Sequence, residues 1–259
     1  MRKIHLAAVI LLSALVVPAP ATRAADLIVQ TEPIGPIKAN CYLLYDTQSK
    51  EAAIFDVAGP VDALTQTIRE KDLTLKYVFL THAHCDHVFG LPELVKHFPT
   101  AKVCVSKEDY DDTALYLQWA EKLDPKQVEE IRKNPELVRM MDFDLKSIGE
   151  PAVFVKDGDV FQLGDARIRA FLSPGHSRGS VCYQDGKMLF SGDVLFYRNV
   201  GRTDLAGSGG WDAIVKSIRR LYSSLPDDTN VYPGHGQSTD IGSEKNQNPR
   251  VSQNSARPN

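Results

Sequence analysis

The sequence predicts an α/β fold. Three observations carry that prediction. Short apolar runs alternate with a segment of helical apolar spacing in the first half of the chain. A second strand-rich stretch begins after Pro151. The residues with the richest chemistry follow strands directly, several of them in glycine turns that let the backbone reverse and aim a side chain into a cleft.

Taken in order, Leu27–Gln30, Cys41–Tyr45 and Ala52–Phe55 read as strands. Pro33, Gly35 and Pro36 mark the first turn, and polar Asp46–Lys50 closes a hairpin. Asp56 ends the third strand beside a glycine turn. It reads equally as a hydrogen-bond partner for a metal histidine and as a turn former. Val61, Leu64 and Ile68 give Val61–Lys71 the spacing of a helix. Tyr77–Leu80 is a strand, Phe89–Phe98 a helix carrying an ordinary His97, and Lys102–Val105 a strand. Residues 106–147 read as a helical insertion. Ser106 is an N-cap with an acidic first turn in Glu108 and Asp109, and Asp124-Pro125 and Asn134-Pro135 are further helix starts. With its aromatic and methionine content, this insertion is either a packed connection or a cover over a cleft. Ala152–Val155, Asp159–Gln162 and Arg167–Leu172 are strands separated by tight turns.

The chain has 259 residues, 43% of them hydrophobic, enough to bury one sizeable core. A formal net charge of -3 leaves no basic footprint for nucleic acid. Arg2 and Lys3, the apolar run Ile4–Val17 and the small residues of Thr22-Arg23-Ala24 form the pattern of a secretory leader cleaved after Ala24. The expectation is a leader over 1–24, a single domain over 25–259, a periplasmic or secreted location, and no stable membrane insertion after cleavage. Cys41, Cys104 and Cys182 sit in apolar strand-like runs and are expected to be buried and unbridged.

The segment Thr81-His82-Ala83-His84-Cys85-Asp86-His87 places three histidines and one aspartate in six residues behind a strand. Imidazole and carboxylate are ligands for zinc and iron. In an extended segment His82 and His84 point the same way, while Asp86 and His87 follow where the chain turns. The spacing therefore indicates two adjacent metal positions. Cys85 is open as a soft ligand or a filler, and the motif supplies enough ligands without it. Three later turns offer the rest: Ser173-Pro174-Gly175-His176, Phe190-Ser191-Gly192-Asp193 and Tyr232-Pro233-Gly234-His235.

This set, His-x-His-x-Asp-His followed by a histidine, an aspartate and a histidine at later strand ends, resembles the metallo-β-lactamase superfamily. The resemblance implies an αββα sandwich of two β-sheets face to face with helices outside. It implies that His82, His84 and His176 hold one metal ion, that Asp86, His87 and His235 hold a second, and that Asp193 bridges them. The ions would be zinc, with iron or manganese as alternatives. The stretches Gly201-Arg202-Thr203-Asp204 and Glu244-Lys245-Asn246-Gln247-Asn248-Pro249 are similar to short, single-domain glyoxalase II-like hydrolases. Only 24 residues follow His235 here, so the added glutathione-contacting helical domain of glyoxalase II proper is not expected.

The implied activity is hydrolysis of a thioester or related ester of a small molecule. Asp86 would orient the attacking hydroxide, and Arg202 would contact a substrate anion. A thioester suits such a site because thiolate leaves without an acid. The competing readings are a metallo-β-lactamase or lactonase, a mononuclear iron persulfide dioxygenase, and a non-catalytic metal-binding protein. The zinc β-lactamases lack a carboxylate bridge at the position of Asp193, and the dioxygenase lacks a metal histidine at that of His235.

Overall fold

The computed structural model describes residues 26–112, 121 and 123–252. The expected leader and the aromatic residues Tyr116 and Trp119 of the insertion lie outside the described residues. Two six-stranded sheets form the body. The first runs in sequence order: β1 (Leu27–Ile34), β2 (Ala39–Asp46), β3 (Glu51–Phe55), β4 (Thr74–Phe79), β5 (Lys102–Ser106) and β6 (Val153–Val155). Its first three strands are antiparallel and its last four parallel. The second sheet contains β7 (Val160–Leu163), β8 (Ala166–Leu172), β9 (Val181–Asp185), β10 (Met188–Gly192), β13 (Asn230–Pro233) and β14 (Thr239–Asp240). Between β10 and β13 the small hairpin β11 (Leu195–Phe196) and β12 (Asn199–Val200) stands apart.

Side-chain alternation builds the layers. Along β2 every residue is buried. Cys41, Leu43 and Tyr45 face one apolar cluster, while Tyr42 and Leu44 face another. The second cluster lies between the sheets, joining Phe55 and Phe79 to Ile168, Tyr183 and Phe190. There the rings of Phe55 and Phe190 stack with centroids 3.8 Å apart. On the outer face of the first sheet lie α1 (Asp62–Glu70), α2 (Cys85–Val88) and α3 (Leu91–His97), contributing Leu64, Ile68, Val88, Leu91 and Leu94. On the outer face of the second lie α7 (Trp211–Ser224) and α8 (Ile241–Gln247), contributing Ile214, Ile218, Leu221 and Ile241. The order helix, sheet, sheet, helix is the expected αββα sandwich.

Residues 106–147 are helical where described: α4 (Lys107–Asp111), α5 (Pro125–Arg132), α6 (Pro135–Met141) and a 3-10 turn at Leu145–Ile148. Ser106, Asp124 and Asn134 cap them as the sequence predicts. Two details differ. The expected helix Phe89–Phe98 is the shorter α3, Leu91–His97, and the separate α2 precedes it; Gly90 between them lies so close to Gly59 O that it admits no Cβ. The 14-residue α7 was not anticipated from sequence, although Ile214, Ile218, Leu221 and Tyr222 repeat at helical spacing.

Parallel strands send their C-terminal ends to one edge, and that edge carries the unusual residues. Asp56 follows β3, the histidine motif follows β4, Asp193 follows β10 and His235 follows β13. The edge is clamped across the sandwich by Asn40. Its backbone N–H donates to Gly234 O at 2.7 Å, and its side chain to Pro233 O at 3.0 Å and Gly236 O at 2.9 Å.

Candidate metal centre

Asp56 organises the first turn. It takes a left-handed φ of +58°, which an aspartate tolerates better than most residues. Its Oδ1 accepts from Thr81 N–H at 2.7 Å, and its Oδ2 from Thr81 Oγ1 at 2.7 Å and His87 Nδ1 at 2.8 Å. Thr81 thus spends its proton on Asp56 and accepts from His82 Nδ1–H at 3.0 Å. His176 Nδ1–H donates to the carbonyl of Arg202 at 2.8 Å. These bonds fix three tautomers. In the neutral rings the Nε2 lone pairs of His82, His87 and His176 are left to face the cleft.

The ring nitrogens converge in two groups. His82 Nε2, His176 Nε2 and His84 Nδ1 lie 2.7–3.2 Å from one another. His235 Nε2 lies 3.2 Å from His87 Nε2 and 3.2 Å from Asp86 Oδ2. Asp193 stands between the groups. Its Oδ2 is 3.4 Å from His176 Nε2, and its Oδ1 is 3.4 Å from His87 Nε2. Asp56, His82 and His87 also lie close enough to form a third donor set. That set is a hydrogen-bonded one, because both oxygens of Asp56 already accept from Thr81 and His87.

The donor chemistry fits divalent cations. Asp193 Oδ1 is buried with no hydrogen-bond partner, a costly state that a cation would relieve. Burial and the neighbouring imidazoles push His82 and His84 well below the ordinary imidazole value of 6.5. Both are therefore neutral, as ligands must be. Burial opposes a charge on His87 too, yet Asp86, Asp193 and Asp56 around it push it up to about 10. Burial likewise opposes charge on Asp86, but His87 and His235 hold its carboxyl well below the usual range. Buried carboxylates that draw a proton onto His87, beside imidazoles that burial keeps neutral, form a site that favours a cation.

All seven residues singled out as ligands come together at this edge. Arg202 does not join them through its side chain. Its carbonyl holds His176, while its guanidinium makes two bonds to Asp204, at 3.0 and 2.8 Å, in an exposed pair. Cys85 turns away from the nitrogens. Its thiol donates to Met141 Sδ at 3.7 Å, and burial pushes it up to about 12. That contact and the Phe89–Phe143 ring pair at 6.3 Å bring α6 and the residues after it onto the histidine motif. The four cysteines are free and buried. Two contributors were missed from sequence. Thr81 was given no role of its own at the head of the histidine segment, and Asp109 was read only as an acid in a helix's first turn.

Glycine keeps the centre open. A Cβ on Gly234 would sit 2.1 Å from Asp193 Oδ1, so the turn before His235 admits no side chain.

Comparison with known proteins decides the family. The metallo-beta-lactamase superfamily model matches residues 34–235, which include every residue named above as a donor. The chain belongs to the metallo-beta-lactamase superfamily. Its curated relatives include the probable metallo-hydrolase YqgX of Bacillus subtilis, 35% identical over 84% of this chain and 94% of that protein. Hydroxyacylglutathione hydrolase GloC of Haemophilus influenzae is 34% identical, again over 84% and 94%. Among solved structures, BLEG-1 B3 metallo-beta-lactamase superposes with a TM-score of 0.70 at 32% identity, covering 86% of this chain and 99% of that one. ETHE1 from Myxococcus xanthus gives 0.67 at 29%, covering 87% and 84%. TTHA1623 in a di-iron-bound form gives 0.64 at 29%, covering 85% and 98%. The superfamily binds divalent metals, the chain gathers His/Asp clusters that could hold them, and relatives named as hydrolases support a hydrolase.

Proposed function

We propose that the chain is an exported, dinuclear metal hydrolase that cleaves a thioester or related ester of a small molecule, in the manner of glyoxalase II. The observation that carries this reading is the position of Asp193. Its Oδ2 lies 3.4 Å from His176 Nε2 and 3.7 Å from His235 Nε2, and its Oδ1 lies 3.4 Å from His87 Nε2, so this one carboxylate is within reach of both donor groups. The 34% identity to a protein named hydroxyacylglutathione hydrolase supports the thioester class.

In this reading His82, His84 and His176 hold one ion, Asp86, His87 and His235 the other, and Asp193 both. When bound, the ion pair supplies an activated water and polarises a carbonyl oxygen. Asp86, whose Oδ2 lies 3.2 Å from His235 Nε2 in the second donor group, would orient the attacking water. Asp56 and the Arg202 carbonyl hold His87 and His176 in their ligand tautomers. The leaving thiolate needs no proton from the protein. Zinc is the proposed metal, and the di-iron neighbour gives iron comparable standing.

Purified enzyme assayed with lactoylglutathione, a chromogenic cephalosporin, a lactone and glutathione persulfide tests the reaction class. Thioester hydrolysis is expected to dominate. The B3 lactamase neighbour favours the cephalosporin as the second reading, and the ETHE1 neighbour gives weight to the dioxygenase. Oxygen consumption with a single iron would sink the hydrolase. Arg202 is the proposed contact for a substrate anion. Arg202→Ala is expected to raise KM several-fold for an anionic ester and leave kcat unchanged. An equal rise for a neutral ester would rule that contact out. Export predicts a mature chain beginning at Ala25 in the periplasmic or secreted fraction; an intact Met1 in the cytoplasm would refute it. Among the described residues no helix is long and apolar enough to cross a membrane.

A further inference from the structure

Asp109 is a buried carboxylate that touches no ring nitrogen, yet it gathers the two loops that carry the first donor group. Its Oδ2 accepts from the backbone N–H of Ala83 at 3.0 Å, the residue between His82 and His84. The same oxygen accepts from Ser177 Oγ at 2.8 Å, the residue after His176. Its Oδ1 accepts from Gly179 N–H at 2.7 Å. The Ala83 loop belongs to the first sheet and the loop from Ser177 to Gly179 to the second. One carboxylate therefore sets the separation of the two halves of the His82, His84, His176 group.

The surroundings leave this arrangement little freedom. Asp109 is 4% exposed. Its own N–H donates to Ser106 Oγ at 3.3 Å, closing the first turn of α4. A Cβ on Gly179 would meet Ser106 Oγ at 2.1 Å and Asp109 Oδ1 at 2.5 Å, so the loop lies directly on the carboxylate. Ser180 Oγ lies 2.6 Å from Ser177 Oγ and accepts from Ser177 N–H at 3.0 Å, holding the hydroxyl in place. Each bond to the carboxylate is charge-assisted and screened from water, the setting in which such bonds are strongest.

Resting on the two-ion reading above, we propose that Asp109 is a positioning residue for the first metal position alone. It ties α4, where the helical insertion begins, to the spacing of His82 and His84 against His176. The second position has its own buried carboxylate, Asp56, and makes no hydrogen bond to Asp109. In either orientation an amide at 109 would present N–H₂ to a backbone N–H, that of Gly179 or that of Ala83, so one half of the clasp would open.

The test is a metal titration of the metal-free protein, read by calorimetry or by the visible spectrum of Co²⁺, for the native chain, Asp109→Asn and Ser177→Ala. Asp109→Asn is expected to weaken one of the two equivalents about tenfold or more and leave the other unchanged. Ser177→Ala, which removes one bond and keeps the carboxylate, is expected to weaken the same equivalent by a smaller factor. Equal weakening of both equivalents would mean a general structural role and overturn the proposal, as would native affinities in both variants. If Asp109→Asn does not fold, Ser177→Ala decides on the same criterion. A native chain that takes up only one ion contradicts the two-ion reading instead. The proposal then stands only if both variants weaken that ion.

Discussion

An Asp193→Ala variant is expected to lose bound metal and esterase activity together. The carboxylate faces His176 on one side and His87 on the other, and no second side chain among the seven donors spans both groups. Losing a hydrogen-bond partner of a metal ligand costs roughly 10–100-fold in affinity or activity, and removing a shared ligand should exceed that. The variant should nevertheless fold, because Asp193 lies at the rim of the sandwich and removing it relieves a buried unpaired oxygen. Metal analysis, thioester turnover and thermal unfolding of the metal-free protein check this. Retained activity with full metal content would contradict the bridging role.

The second large effect is expected at Asp56. Replacing it with alanine leaves Thr81 N–H and His87 Nδ1 without their acceptor inside a turn where Asp56 is 2% exposed. Breaking a buried, hydrogen-bonded pair of this kind costs about 3–5 kcal/mol. It also frees the His82 and His87 rings to rotate, since Thr81 would no longer be forced to accept from His82. The expected outcome is a lower unfolding midpoint in the metal-free state together with weaker metal binding. Asp56→Asn should fall between the two, because its amide oxygen can keep one acceptor. A native midpoint in Asp56→Ala would mean that the turn is held by other bonds.

The contrast between Asp193 and Asp56 shows which parts of the centre a sequence can reveal. Asp193, His176 and His235 were legible because each follows an apolar strand in a turn containing glycine, and because histidine and aspartate have few other reasons to gather at strand ends. The αββα layering was legible only through the family resemblance that the same motif carries. The nearly continuous apolar run of β2, buried at every position, agrees with a sheet covered on both faces. Asp56 was half legible. Its place after β3 was clear, but a turn aspartate and a histidine partner look alike in sequence, and the structure makes it both. Asp109 was not legible. Its partners are backbone N–H groups and a serine hydroxyl brought from 26 and 68 residues away, and nothing local encodes such distant bonds. The helix Trp211–Ser224 does carry a local signal, since Ile214, Ile218, Leu221 and Tyr222 recur at helical spacing.

The burial of the histidine cluster also bears on pH. Burial keeps His82 and His84 neutral below their ordinary value of 6.5. In the metal-free protein their contribution to stability is present above that value and is lost as pH falls through the lowered folded values, because the unfolded rings take up protons first.

The most direct measurement is the metal content of the purified native chain, with anomalous diffraction to locate the ions. Two ions per chain are expected, one beside His82, His84 and His176, one beside Asp86, His87 and His235, with Asp193 between them. A single ion at saturating metal, with Asp193 bound to one donor group only, would contradict the two-ion reading.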